Sequence, residues 1–379
     1  MEATGRLAPR LGWRATAAGP RALRGPTRAD ASSSGQATGE PSTPPWLGQN
    51  RWVDCAPPGK LIEREEYGLQ GDSPLNRAVN LALHSPLFGA MKVIAKGIMK
   101  STAEKRGVPW RRRCKDLEAS EVYEIFPEIE DVSIEYPSYY TMQFHGYEEG
   151  NLSWTAAFEI ESATEVIYLR NWNNEDITPE VAMARMKNNI VGAILEYTKS
   201  APVRLIEDVL DVGCSVGMST RWLAEAFPSA SCTGLDLSPY FLSVAELCER
   251  KTTDQRPGRR IRYVHSNAEA TGLPSKSYDL VNMQFVVHEC PAATTVDIVR
   301  EARRLLRPGG MLAVTDLDPR SRVMQNTPPL LYTLRKSMEP WYDEYLSMDF
   351  EGMMESEGFE NVQYVPVTHR HRSVMGIKR

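Results

Sequence analysis

The stretch Val209-Leu-Asp-Val-Gly-Cys-Ser-Val-Gly217, followed nineteen residues later by Asp236 within Thr233-Gly-Leu-Asp-Leu-Ser238, decides how this chain folds. Val209 to Val212 is a short apolar run broken only by Asp211, as in a buried parallel strand. Gly213 and Gly217 carry no Cβ, so the chain can turn sharply there and come close to a ligand. Met218 to Phe227 has helical character, and the turn therefore feeds a helix N-terminus. A second apolar strand, Ser231 to Leu237, carries Asp236, whose carboxylate can accept both hydroxyls of a ribose. Strand, glycine turn, helix, strand and acid, in that order, describe a doubly wound nucleoside site. Ser215 stands where a pyrophosphate would demand the middle glycine of the dinucleotide fingerprint, so a ligand without phosphates fits better.

Three further blocks follow in register: His265-Ser-Asn-Ala-Glu269, Leu273-Pro-Ser-Lys-Ser-Tyr-Asp-Leu-Val281 and Leu305-Leu-Arg-Pro-Gly-Gly-Met-Leu-Ala-Val-Thr-Asp316. With them the chain resembles the class I methyltransferases that use S-adenosyl-L-methionine, in the UbiE-like (methyltransferase type 11) branch of small-molecule enzymes. The resemblance runs from about Leu205 to the C-terminus. Residues from about Leu61 to Ser200 look more like one plant, algal and cyanobacterial subgroup. The fold class this implies is α/β: a Rossmann-like, seven-stranded methyltransferase sheet with a reversed edge strand, plus an N-terminal, mostly helical accessory or lid region.

Alternation of the pattern predicts strands near 207–212, 231–236, 261–266, 279–284 and 310–316, with helices at 217–227, 239–250 and 293–306. A last helix near 349–357 and strands near 361–367 and 371–378 complete the sheet. Four regions result: a leader over 1–44, a Pro-rich linker over 45–60, the accessory region over 61–200 and the cofactor domain over 201–379. Helices are expected within Leu75 to Gly107, broken at Pro86, and over Pro179 to Thr198.

A chain of 379 residues with 42% hydrophobic content has material for a sizeable core. A net charge of −5 argues against a nucleic-acid partner. The six cysteines form no Cys-x-x-Cys pair, which suggests reduced thiols, with neither a disulfide framework nor a zinc site. Residues 3–29 hold six arginines and no acid, and a Ser-rich stretch follows. Such a leader reads as an organellar transit peptide, or else as a disordered tail. The subgroup resemblance favours a chloroplast over a mitochondrial address. No segment has the uninterrupted apolar length of a membrane span, since Asn80, His84, Lys92 and Lys96 break the best one. The helix Leu87 to Lys100, with Lys92, Lys96 and Lys100 along one side, reads as a lid on the core with a solvated lysine face. Peripheral contact with an anionic membrane is the rarer reading. Arg111-Arg-Arg113 reads as solvated surface.

By the resemblance, Gly213, Cys214, Ser215 and Gly217 pass under the amino-acid part of S-adenosylmethionine, and Asp211 lies near its ammonium, directly or through water. Asp236 takes the ribose hydroxyls with Leu237 beside it; a helix N-cap is the other reading, which Ser238 serves better. Asn267 stands where relatives carry an acid for the adenine amino group, and its amide oxygen can accept that bond without charge. The Ala268 N–H can meet the ring. Gln284-Phe-Val-Val-His-Glu-Cys-Pro291 borders cofactor and acceptor. There His288 is the general-base candidate, as a neutral imidazole, and Glu289 its orienting or substrate-binding neighbour. A structural histidine capping the next helix is an equal alternative. Asp279 reads as structural; His369 and His371 read as surface or edge residues. The aromatic stretch Tyr139 to Trp154 offers a substrate lid with Tyr140, His145 and Tyr147, because aromatic faces stabilise a sulfonium; filling a core is the competing use.

The expected activity is methyl transfer from S-adenosyl-L-methionine to a small molecule, at oxygen or carbon of a quinol or phenolic plastid metabolite. S-methylation of a small thioether acid, as in the route to dimethylsulfoniopropionate, is the alternative. A non-catalytic, cofactor-binding assembly factor is the rival of another class. A nicotinamide reductase is disfavoured by Ser215 and by the lack of a Tyr-x-x-x-Lys pair after the fourth strand.

Overall fold

The computed structural model describes residues 86–144, 147–255, 261–336 and 338–379. The leader, the linker and His145 lie outside the described residues, as do the side chains of residues 86–95. Among the described residues five α-helices come first: α1 (Pro86–Lys105), α2 (Trp110–Glu118), α3 (Val122–Ile129), α4 (Trp154–Leu169) and α5 (Pro179–Ser200). The last two start where a hydroxyl replaces the missing helical acceptor: Ser153 Oγ accepts from Ala156 N–H and Thr178 Oγ1 from Val181 N–H. Then β1 (Asp208–Val212), α6 (Met218–Ala226), β2 (Ser231–Asp236), α7 (Pro239–Gln255), β3 (Arg262–His265), β4 (Tyr278–Gln284), α8 (Ala292–Leu305) and β5 (Leu306–Leu317) alternate. After four short helices, α9 (Arg322–Gln325), α10 (Pro329–Lys336), α11 (Tyr342–Leu346) and α12 (Phe350–Ser356), the chain closes with β6 (Phe359–Pro366) and β7 (His371–Lys378).

The sheet order is β3-β2-β1-β4-β5-β7-β6, with β7 antiparallel to both its neighbours. The reversed strand thus lies one place in from the edge, and β6 is the edge itself. Burial explains the placement: all eight residues of β7 are buried, whereas β6 alternates toward solvent. Leu210, Val212, Val281, Met283, Leu312 and Val314 pack one face against α8 and the α9–α12 insertion. Val209, Leu280, Met311 and Ala313 pack the other against α5, through Met186, Ile190 and Ile194. The accessory helix α5 therefore shares the core of the sheet.

The lysine face of α1 is not solvated as expected. Lys96 Nζ lies 2.9 Å from the buried Glu159 of α4, and Lys100 pairs with the same carboxylate. Arg111 and Arg112 are exposed, as expected of solvated surface, beside Glu104 and Asp116, while Arg113 is partly buried against Glu165. Asp279 is structural: Arg204 and Arg307 reach it at 2.7 and 2.9 Å, and it accepts from Glu207 and Asp208 N–H. No helix among the described residues is long and apolar enough to cross a membrane.

Candidate active site

A cavity of about 260 Å³ opens at the carboxyl ends of β1, β2 and β4, where an open α/β sheet presents its ligands. Its floor is the turn after β1. Gly213 (φ 67°), Ser215 (φ 50°) and Gly217 (φ 76°) all lie in the left-handed region. Glycine reaches that region at no cost, while Ser215 is strained there, as residues at functional sites often are. Ser215 N–H donates to Asp236 Oδ2 at 2.7 Å and Ser238 N–H to Oδ1 at 2.8 Å. The two sequence signals, turn and acid, are thus one hydrogen-bonded unit. Burial pushes the Asp236 carboxyl up to about 6 against the pull of these N–H donors. Each oxygen keeps accepting capacity for a hydroxyl. Ser215 Oγ and Gln284 Nε2, both in the cavity wall, are buried with no hydrogen-bond partner. Orphaned polar atoms around a buried carboxylate fit a polar nucleoside such as the S-adenosyl group.

Gly213, Cys214, Ser215, Asp236, Leu237, Asn267, Ala268, Gln284, His288, Glu289 and Tyr140 all line this cavity. Tyr140 Oη points to Asp236 Oδ1 at 3.5 Å, and the neighbouring Tyr139 donates to Glu269 at 2.5 Å, so these two tyrosines of the aromatic segment line the cleft. Asn267 Oδ1 already accepts Glu269 N–H at 2.9 Å, leaving it one lone pair for an adenine amino group.

Other expected residues sit elsewhere. Asp211 is fully buried outside the cavity wall, accepting from Ser219 and Thr220 at 2.6 Å and from Asn282 at 2.6 Å. Those three bonds tie β1, α6 and β4 together. Gly217 is also outside the wall; a Cβ there would strike Tyr263 Oη at 2.3 Å, so packing alone demands a glycine. Tyr147 turns away, donating to Glu159 at 2.7 Å with Lys96 Nζ 3.8 Å over its ring. His371, expected at the surface, is buried in the cavity wall, with Thr368 Oγ1 2.8 Å from Nδ1. Burial drives its pKa down to about 3.

The neutral imidazole expected of His288 is also corrected. Its Nδ1 lies 2.8 Å from Asp316 Oδ1, an ion-pair contact lacking hydrogen-bond alignment, and its backbone N–H donates to Oδ2. Burial alone would lower the pKa of the ring. Asp316, with Glu339 and Glu289 nearby, overrides that and raises it to about 9. In the protein alone the Asp316 carboxylate thus favours the imidazolium form of His288. Burial pushes Glu289, which accepts from Asn151 at 3.2 Å, up to about 8.

Asp316 was quoted within a motif but given no role by the sequence. Arg335 and Glu339, 2.9 Å apart in the insertion after β5, carried no local signal at all. The same holds for the aromatic wall of Tyr168, Trp222 and Phe285, which comes from three separate elements. Phe285 adopts φ 60° at the exit of β4 and is held by its N–H to Thr315 O, 2.8 Å.

A methyltransferase-domain family model matches residues 210–314. The demethylmenaquinone methyltransferase of Tropheryma whipplei (strain Twist) is 28% identical over 211 residues, covering 48% of this chain and 82% of that protein. The demethylmenaquinone methyltransferase of Anoxybacillus flavithermus (strain DSM 21510 / WK1) is 30% identical over 179 residues, covering 42% and 72%. The mitochondrial 2-methoxy-6-polyprenyl-1,4-benzoquinol methylase of Caenorhabditis elegans is 29% identical over 178 residues, covering 42% and 60%. Strand order, turn, acid and relatives agree, and the chain belongs to the class I S-adenosylmethionine-dependent methyltransferases.

Proposed function

We propose that this methyltransferase acts on oxygen or carbon of a phenolic or quinol-type metabolite in the plastid. The observation that carries the reading is the His288–Asp316 pair set beside the Tyr168–Trp222–Phe285 wall in one cavity. The relatives' names, quinol and menaquinone methylases, point the same way. S-Adenosylmethionine, when bound, supplies an already activated methyl group, so the chain's own work is alignment, exclusion of water and proton handling. Asp316 at Nδ1 fixes the imidazole ring and leaves Nε2 as the atom that takes the acceptor's hydroxyl proton. A cation in the same cavity disfavours the imidazolium and brings His288 toward the neutral form a base needs.

The raised basicity of His288 also favours a second reading. A thioether nucleophile carries no proton, so an imidazolium would be no obstacle to S-methylation. His288→Ala separates the two. O-methylation predicts a loss of kcat of about 100-fold or more, and S-methylation a change of only a few-fold. Turnover of labelled cofactor against phenolic, quinol and thioether pools is the measurement; no accepted label in any pool would overturn both. An organellar address is supported by the Arg-rich, acid-free composition of residues 3–29, and the plastid over the mitochondrion by the resemblance to the plant, algal and cyanobacterial subgroup. Residues 1–44 fused to a fluorescent protein test it, and mitochondrial or cytosolic signal would contradict it.

A further inference from the structure

His265 is the buried last residue of β3 and pairs in register with Asp236 on β2, yet no step of the methyl transfer uses its imidazole. Both ring nitrogens meet backbone. Asp131 N–H donates to Nδ1 at 2.9 Å, and Nε2 lies 3.1 Å from the Leu237 carbonyl oxygen. An N–H needs a lone pair opposite it and a carbonyl needs a proton, so the two contacts together demand the tautomer with Nε2–H and a bare Nδ1. An imidazolium would set one N–H against another at Asp131. Burial lowers the His265 pKa below the ordinary 6.5, against the pull of the Leu237 carbonyl and of the Asp131 and Glu130 carboxylates, and so favours the neutral ring.

The two backbone partners come from distant parts of the chain. Leu237 follows Asp236 in the cavity wall. Asp131 begins the segment that leads from the end of α3 to the tyrosines lining the cleft. Tyr136 of that segment stands against the imidazole, its Oη 3.4 Å from Nε2 and the ring centres 6.1 Å apart. Tyr140 lies nearly parallel to Tyr136, with 6.4 Å between centres, and points its Oη to Asp236 Oδ1 at 3.5 Å. The far end of the segment is tied as well, since Asn151 O accepts from Ser238 Oγ at 2.7 Å. Contacts thus run from the imidazole through two tyrosines to the carboxylate at the cavity floor.

We infer that His265 is a positioning residue for the cofactor: its Nε2–H tautomer clamps the segment from Asp131 to Tyr140 to the loop after β2, and so holds Tyr140 beside Asp236, the expected ribose acceptor. This role rests on the S-adenosyl site at Asp236 and is independent of which acceptor is methylated.

The test joins ring NMR, amide exchange and calorimetry on the full chain. At pH 7 the nitrogen-15 shifts of the six labelled histidines, with the His265 signals identified by their loss in His265→Gln, should show its Nε2 protonated and its Nδ1 bare. His265→Phe keeps an aromatic ring and neither bond. Amide protection over residues 131–140 should fall by about tenfold or more in that variant, with the central strands β1 and β4 unchanged. Its affinity for S-adenosylhomocysteine should fall by about tenfold. His265→Gln, which retains one acceptor and one donor, should keep both quantities within about threefold of the parent. A ring protonated at Nδ1, unchanged protection in His265→Phe, or equal losses in the two variants overturns the inference. The ring state is read in the parent chain, so it decides even if His265→Phe does not fold. Uptake of S-adenosylhomocysteine by neither parent nor variant overturns the cofactor site and this role together, whereas equal uptake by parent and His265→Phe overturns the role alone.

Discussion

Asp236 is the residue that the proposed cofactor site turns on, and its hydrogen bonds set what its loss should do. It already accepts two backbone N–H bonds, so Asp236→Ala removes the expected ribose acceptor and also orphans Ser215 N–H in the floor. Affinity for S-adenosylhomocysteine should fall by about 100-fold or more, at roughly 1.5–3 kcal/mol for each charge-assisted bond. Retained affinity in calorimetry would remove the basis of the site. His288 gives a pH prediction. Its folded pKa, about 9, exceeds the ordinary 6.5, so the stability it contributes is complete below about pH 6.5 and is lost as pH rises through 9. The melting temperature should decline over that window, and Asp316→Asn should flatten the decline, because burial then dominates the ring. NMR titration of labelled histidine checks this directly; titration near 6.5 in the parent protein would refute it.

At the scale of elements, α1 is fastened to α4 by two lysines and one carboxylate. Glu159 is 5% exposed and also receives Tyr147 from the segment that covers the cleft. Glu159→Ala leaves both lysines without their anion. The cost should be about 2 kcal/mol, below the range for fully buried pairs because Lys96 and Lys100 are 30% and 23% exposed. Amide exchange across residues 86–105 should quicken in this variant; unchanged protection there would show that α1 is held by other contacts. The periodicity of α1 was legible in the sequence, but its basic face was misread as solvated. Helical spacing reports which side chains share a face, not what a helix 59 residues away presents to that face.

For the molecule as a whole, stability and chemistry sit at opposite ends of the strands. Asp279 anchors the amino end of β4 through Arg204, Arg307 and two backbone N–H groups, while the cavity lies at the carboxyl end. Asp279→Ala should cost about 3 kcal/mol in denaturant unfolding and leave affinity for S-adenosylhomocysteine unchanged. A variant of normal stability, or one that loses the ligand in proportion, would contradict this division. Its charged partners hold the Asp279 pKa below the ordinary value against the effect of burial, so its contribution is present above about pH 3.8 and is lost as pH falls further. The insertion between β5 and α12 shows the same separation of roles, since it closes one face of the core and delivers Arg335 and Glu339 to the cavity.

The amino-acid sequence by itself determined the alternation of strands and helices, the left-handed turn at Gly213 and the acid that turn must meet. These follow from local backbone preference and from the period of apolar residues, and both act within a few positions along the chain. Only the tertiary structure decided that Asp211 joins β1 to α6 and β4, that His288 meets Asp316, that His371 is buried in the wall and that Arg335 reaches it. Those outcomes depend on which side chains distant elements bring together and how far they exclude water. The charge state of a buried histidine is set by the neighbours packing assigns to it.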